Sequence, residues 1–140
     1  MNNKLSQNTQ SLQTCVSDSS NRVLKLTLKK QWFDMILFGQ KKEEYREVKD
    51  YWVNRLCLKY PKNVIAVGSQ LMHKHSGQQF DLDNFDFIEF TNGYNKKSPQ
   101  VTLECKGIEI GIGKTEWGAI ENETYFIIKL GSEVSRKNCL

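Results

Sequence analysis

Several absences bound what this 140-residue chain can do. It has two histidines, both in His73-Lys74-His75, so its spacings yield no Ser-His-Asp or Cys-His nucleophile arrangement. Those two imidazoles would share a strand face, but no third ligand stands nearby; no metal is expected, and a surface loop pair is the plainer reading. The four cysteines, Cys15, Cys57, Cys105 and Cys139, are widely separated and include no Cys-x-x-Cys. That argues against a zinc site or a disulfide framework and makes a reducing cytoplasm the expected setting. No apolar run approaches the roughly eighteen residues of a membrane span, so no membrane partner is expected. The first residues hold no apolar stretch behind a basic start, the mark of a secretory leader. Gly111-Ile112-Gly113-Lys114-Thr115 lacks the full G-x-x-x-x-G-K-[ST] spacing, which removes nucleoside triphosphate hydrolysis from consideration. No cofactor is expected.

What is present is an ordinary globular composition, 39% hydrophobic and 26% charged, of a length that suits one domain. The net charge of +4 is unevenly distributed. Residues 1–21 are neutral, residues 22–62 hold eleven Lys and Arg against five Asp and Glu, and residues 63–140 hold eight against ten. A basic segment of this kind suits a polyanion such as RNA or DNA; a solvated surface is the alternative.

Residues 1–21 are rich in Ser, Thr, Asn and Gln and read as a disordered polar tail. The fold is expected over 22–131, with residues 132–140 as a polar C-terminal tail. Val23 to Leu28 alternates as a half-buried strand with Leu24, Leu26 and Leu28 inward. From Lys29 to Phe38 the period becomes helical, with Trp32, Phe33, Ile36 and Leu37 on one stripe, and Gly39 ends the helix. Asp50 can cap a second short helix through Leu56. Val64–Val67 reads as a short buried strand, and 68–84 as an irregular loop. Phe85–Phe90 reads as a strand followed by an Asn92-Gly93 turn, and strands follow at Val101–Cys105, Ile108–Ile112 and Thr124–Leu130. Five or six strands, two early helices and no βαβ rhythm predict an α+β fold: a small mixed β-barrel with two or three short helices packed on it.

The stretch that carries chemistry is Gly39-Gln40-Lys41-Lys42-Glu43-Glu44-Tyr45-Arg46, in spacing G-x-K-x-x-E-x-R. An amine, a carboxylate and a guanidinium follow a helix-ending glycine. In a strand, Lys42, Glu44 and Arg46 would share one face and Lys41, Glu43 and Tyr45 the other. Lys41 and Arg46 therefore reach one cleft only if Lys41 lies in the turn or a bulge intervenes. A lysine withdrawn from water can have its pKa lowered toward use as a base; a surface strand with cross-strand ion pairs is the alternative.

Gly39, Lys41, Glu44 and Arg46 resemble the signature of ASCH domains, a branch of the PUA-like superfamily. The blocks Leu24–Leu28, Trp32–Leu37, Asn92–Tyr94, Glu104–Ile108, Trp117–Ala119 and Tyr125–Gly131 resemble the short bacterial and phage-type single-domain members, so the likeness spans about residues 22–131. The resemblance implies a PUA-like β-barrel whose cleft takes RNA or a modified nucleoside. Some such proteins are N4-acetylcytidine amidohydrolases and one group is described as ribonucleases, so an enzyme on the same cleft is the first alternative. A protein-interaction module is the second. The resemblance casts Lys41 and Glu44 as catalytic candidates. The amidohydrolases carry Thr where this chain has Glu44, and Glu104 or Glu116 would have to supply their downstream carboxylate. Ligand contact is expected from Gly39, Lys41, Glu44, Tyr45 and Arg46, with Tyr94 and Trp117 placed to stack on a base. Lys96 and Lys97 flank the same turn as Tyr94 and could touch phosphate. Trp32, Phe33 and Trp52 read as helix faces packed on the barrel.

Overall fold

The computed structural model describes residues 21–59 and 61–139; most of the predicted N-terminal tail, residues 1–20, lies outside the described residues. β1 (Val23–Thr27) obeys the expected alternation, burying Leu24 and Leu26, with Leu28 buried just beyond it. α1 (Lys30–Leu37) presents Phe33 and Ile36 to the core and packs Trp32 and Leu37 at its margin. Gly39, at a φ of +78°, ends it in the left-handed conformation that glycine adopts at low cost. β2 (Glu43–Glu47) carries the charged motif, and α2 (Asp50–Leu56) buries Val53 and Leu56. Asp50 is not the cap. Lys49 holds that position without a side-chain bond, and Asp50 lies in the first turn, where its charge faces the positive end of the helix.

The next segment departs from expectation. The strand expected at Val64–Val67 is present as β3, but in place of the expected loop β4 (Gln70–His73) and β5 (Gln79–Phe80) join it in a three-stranded antiparallel sheet. β3 is only half covered, with Ile65 and Val67 exposed. The missed signal was Gly68-Ser69, a two-residue hairpin loop with Gly68 at a φ of +63°. Strands of two to four residues are too short for alternation to register. His73 Nδ1 accepts the backbone N–H of His75 and Ser76 at 3.2 and 3.1 Å, so this imidazole closes a turn. Among the described residues no three His, Cys, Asp or Glu side chains gather to hold a metal ion.

β6 (Phe87–Thr91), β7 (Gln100–Ile112) and β8 (Thr124–Lys137) complete a five-stranded sheet in the order β1-β6-β7-β8-β2. β1 runs parallel to β6 and the remaining neighbours are antiparallel. The two strands expected over 101–112 are one, with register shifts between Thr102 and Gly107. Such bulges bend a strand, and the sheet curls into a half-barrel. Asn92-Gly93 opens a longer loop, 92–99, and is not a two-residue turn. Residues 132–137 are not a tail either: they extend β8, pairing Arg136 with Val101 and Lys137 with Gln100. Their side chains are exposed, so no apolar alternation marked the strand.

The main core gathers β1, both helices and the inner faces of β6, β7 and β8 around Phe33, Phe90 and Phe126. No helix among the described residues is long and apolar enough to cross a membrane. Cys57, just after α2, is buried in this core, and burial, with Asp83 nearby, pushes its thiol up to about 11. At pH 8 that means roughly a hundredfold less thiolate, offset about tenfold by the higher nucleophilicity of a more basic thiolate. Native Cys57 is therefore expected to react with iodoacetamide at least about tenfold more slowly than in the urea-unfolded chain, read by peptide mass mapping. Equal rates would contradict its placement in the core.

Candidate functional site

The edge strands of the curled sheet, β1 and β2, border one pocket of about 300 Å³. Its walls are the end of β1 at Thr27 and Leu28, Trp32 of α1, Glu44 to Arg46 of β2, and Trp117-Gly118. Trp117 ends a short 3-10 turn (Thr115–Trp117) between β7 and β8.

Lys41 does not line this pocket; it is buried behind the wall that Glu44 and Trp117 form, and it gets there because α1 ends in a tight reversal. The carbonyl of Met35 accepts from the N–H of both Gln40 and Lys41, at 2.8 and 3.1 Å. Lys41 thus lies in the turn before β2, the arrangement that lets it meet residues on the strand face of Glu44 and Arg46. Its Nζ donates to the carbonyl of Glu43 at 2.7 Å, to that of Trp117 at 2.8 Å, and to Glu44 Oε1 at 2.8 Å. All three ammonium donors are engaged. The side chain is buried, with the rings of Tyr45 and Trp32 5.0 and 5.5 Å from the nitrogen. Burial lowers the pKa of Lys41 from its ordinary value, a penalty that Glu44 offsets only in part.

Glu44, also buried, uses its other oxygen on Arg46 Nη1. Lys41, Glu44 and Arg46 form one connected chain with one positive charge in excess. Arg46 Nη1 also donates to its neighbour's carbonyl at Tyr45, 2.8 Å away, and Nη2 reaches the Thr27 carbonyl across the seam at 3.4 Å. The guanidinium lies 5.0 Å from the ring of Trp52. Its Nε–H and second Nη2–H have no partner among the described residues.

Tyr45 points to the opposite face of β2, into a smaller cluster with Ala119, Tyr125 and Ile127, and the residue also borders the pocket. Its hydroxyl donates to Glu43 Oε1 at 2.7 Å and accepts from the Lys114 N–H at 3.0 Å. Burial and the adjacent Glu43 carboxylate push this phenol well above the usual tyrosine range. Burial alone would raise Glu43, but hydrogen bonds from Tyr45 and Lys129 hold it below the usual carboxylate range.

The other predicted residues divide. Trp117 borders the pocket and tethers Lys41 through its carbonyl. Tyr94 is 93% exposed, so it is not packed on the rim, and Lys96 and Lys97 are exposed in the same loop. That loop is anchored near the pocket by Asn92 Nδ2, which donates to the Leu28 carbonyl at 3.0 Å. Gly39 shapes the helix end and does not border the pocket; neither do Glu104 and Glu116. Trp32 and Trp52 pack against the main core as expected, and each also meets the motif: Trp32 walls the pocket and the Trp52 ring lies against Arg46. No local spacing ties either indole to the motif; only the fold does. Comparison with protein-family models, with curated proteins and with solved structures finds no match to this chain.

Proposed function

We propose that the chain is an ASCH-type, PUA-like domain that binds single-stranded RNA or a nucleotide-like ligand in the pocket beside Lys41, Glu44 and Arg46. The observation carrying this reading is the linked charge chain of the G-x-K-x-x-E-x-R motif at the wall of a pocket bordered by two indoles. A pocket of about 300 Å³ is at the small end of ligand sites and suits one base or nucleoside. Trp32 and Trp117 offer faces for stacking, worth about 1–3 kcal/mol per base. The unpartnered N–H donors of Arg46 suit a phosphate or a base edge, and exposed Tyr94 offers a further stacking face. A reducing, cytoplasmic setting agrees with Cys57, Cys105 and Cys139 as free thiols.

Binding is favoured over catalysis by the state of Lys41. Its three donors are held by protein acceptors, so it offers a substrate neither a nucleophile nor a base unless it first releases one. Glu44, at the position of the amidohydrolase Thr, has both oxygens committed.

The test is fluorescence anisotropy with a labelled single-stranded RNA of about ten nucleotides at low salt. Binding is expected, and Arg46→Ala is expected to weaken it about tenfold or more. N4-acetylcytidine incubated with the protein should stay intact. Acetate release that is lost in Lys41→Met would overturn the reading in favour of an amidohydrolase, and RNA cleavage lost in that variant in favour of a ribonuclease. Absence of RNA binding would leave the protein-interaction module.

A further inference from the structure

Trp117 also borders a second, larger groove of about 490 Å³ on the outer face of β2, β8 and β7. Four lysines surround it: Lys42 before β2, Lys106 on β7, Lys129 on β8, and Lys114 leading into the 3-10 turn. Lys129 is matched by Glu43 at 3.0 Å and Glu109 at 3.8 Å. The other three are exposed, and none forms an ion pair among the described residues. Glu43, the acidic group best placed to answer them, is taken by Tyr45 and Lys129. Lys114 extends over the Trp117 ring, its nitrogen 4.7 Å from the centroid.

The lining sets four lysines against two carboxylates, Glu43 and Glu109, a net charge of +2, and an anion seated among the three lysines outside ion pairs offsets that excess. Lysine is a flexible point charge, suited to phosphates whose positions shift with the strand and not to one fixed fork geometry. The hollow is larger than the pocket and shares Trp117 with it. We infer that this groove carries the backbone phosphates of nucleotides flanking the base held in the pocket, so that the ligand is an RNA strand and not a free nucleoside. Trp117 then acts as a partition, with a base on one side and the backbone on the other. The inference rests on the nucleic-acid reading of the pocket.

The test compares the wild type, the triple variant Lys42→Gln/Lys106→Gln/Lys114→Gln and Arg46→Ala, with both variants first shown by thermal melting to be folded at the assay temperature. The probe is a single-stranded RNA of about ten nucleotides, titrated over a series of salt concentrations. Each phosphate contact on a single strand contributes about 0.7 to the slope of log K against log salt, so the triple variant is expected to be shallower by about 2. Its affinity at low salt should fall at least about tenfold. RNA binding with an unaltered slope in the triple variant overturns the groove while leaving the pocket reading intact. Binding lost in the triple variant but untouched by Arg46→Ala supports the groove and overturns the pocket reading. A wild type that binds no RNA overturns both.

Discussion

Glu44→Gln is expected to destabilise the folded domain by about 3–5 kcal/mol, the usual cost of leaving a buried charge without its partner. Among the described residues Glu44 carries the only carboxylate paired with Lys41, and the lysine side chain is 1% exposed. Glutamine keeps the shape but turns an amide N–H₂ toward one of two cations, donor against donor. Set against a typical domain stability of about 5–15 kcal/mol, the loss would be plain in urea denaturation at pH 7. A loss under about 1 kcal/mol would mean that the Lys41–Glu44 pair is not desolvated as described.

Two controls separate electrostatics from shape. Adding Lys41→Met to Glu44→Gln removes the stranded ammonium, so the double variant is expected to be more stable than Glu44→Gln alone. The second control is pH. Lys41 titrates below its ordinary value because it is buried, and losing Glu44 takes away an interaction that raises it. Between the lowered folded value and the unfolded one, the native state binds fewer protons than the unfolded chain, so stability rises with pH. The deficit of Glu44→Gln should therefore shrink as the pH is raised toward about 10. Tyr45 and Cys57, both raised, lose stability with rising pH in the same range. They do so in both proteins, so the difference between the two isolates Lys41.

The elements legible in the sequence are those whose physics is local. β1 and α1 each bury one face at the period of their own backbone, and Leu24, Leu26, Phe33 and Ile36 lie where that period puts them. The motif was legible as chemistry, and strand parity required either that Lys41 lie in the turn or that a bulge intervene if it was to join Glu44 and Arg46; the structure shows the turn. What stayed hidden depends on the curl of the sheet. Trp32 precedes the motif and Trp117 is 76 residues beyond Lys41, yet both approach its ammonium. The C-terminal half of β8 was hidden for a different reason: exposed polar strands such as Ser132–Lys137 leave no hydrophobic periodicity to read.

Gly113→Ala is expected to cost about 1–3 kcal/mol through overpacking, and to loosen the pocket from behind. A Cβ at this position would stand 2.7 Å from that of Ala119 and 2.9 Å from two ring carbons of Tyr45. Neither neighbour can yield easily. Ala119 is buried, and the Tyr45 ring is clamped between Glu43 and the Lys114 N–H and packed on Tyr125 at 5.7 Å. The added methyl must instead push out the segment 113–119, which carries the Trp117 carbonyl that binds Lys41. The same displacement moves Trp117, the wall shared by pocket and groove, so RNA affinity is expected to fall along with the melting temperature. Gly111→Ala is the milder comparison: its Cβ would meet only the tip of Ile127 at 3.2 Å, a contact relieved by a shift of that one side-chain end, and a smaller loss than at Gly113 is expected. If the two variants melt alike, the segment holding Trp117 has room to spare, and the tether from Lys41 to that segment does not fix the wall of the site.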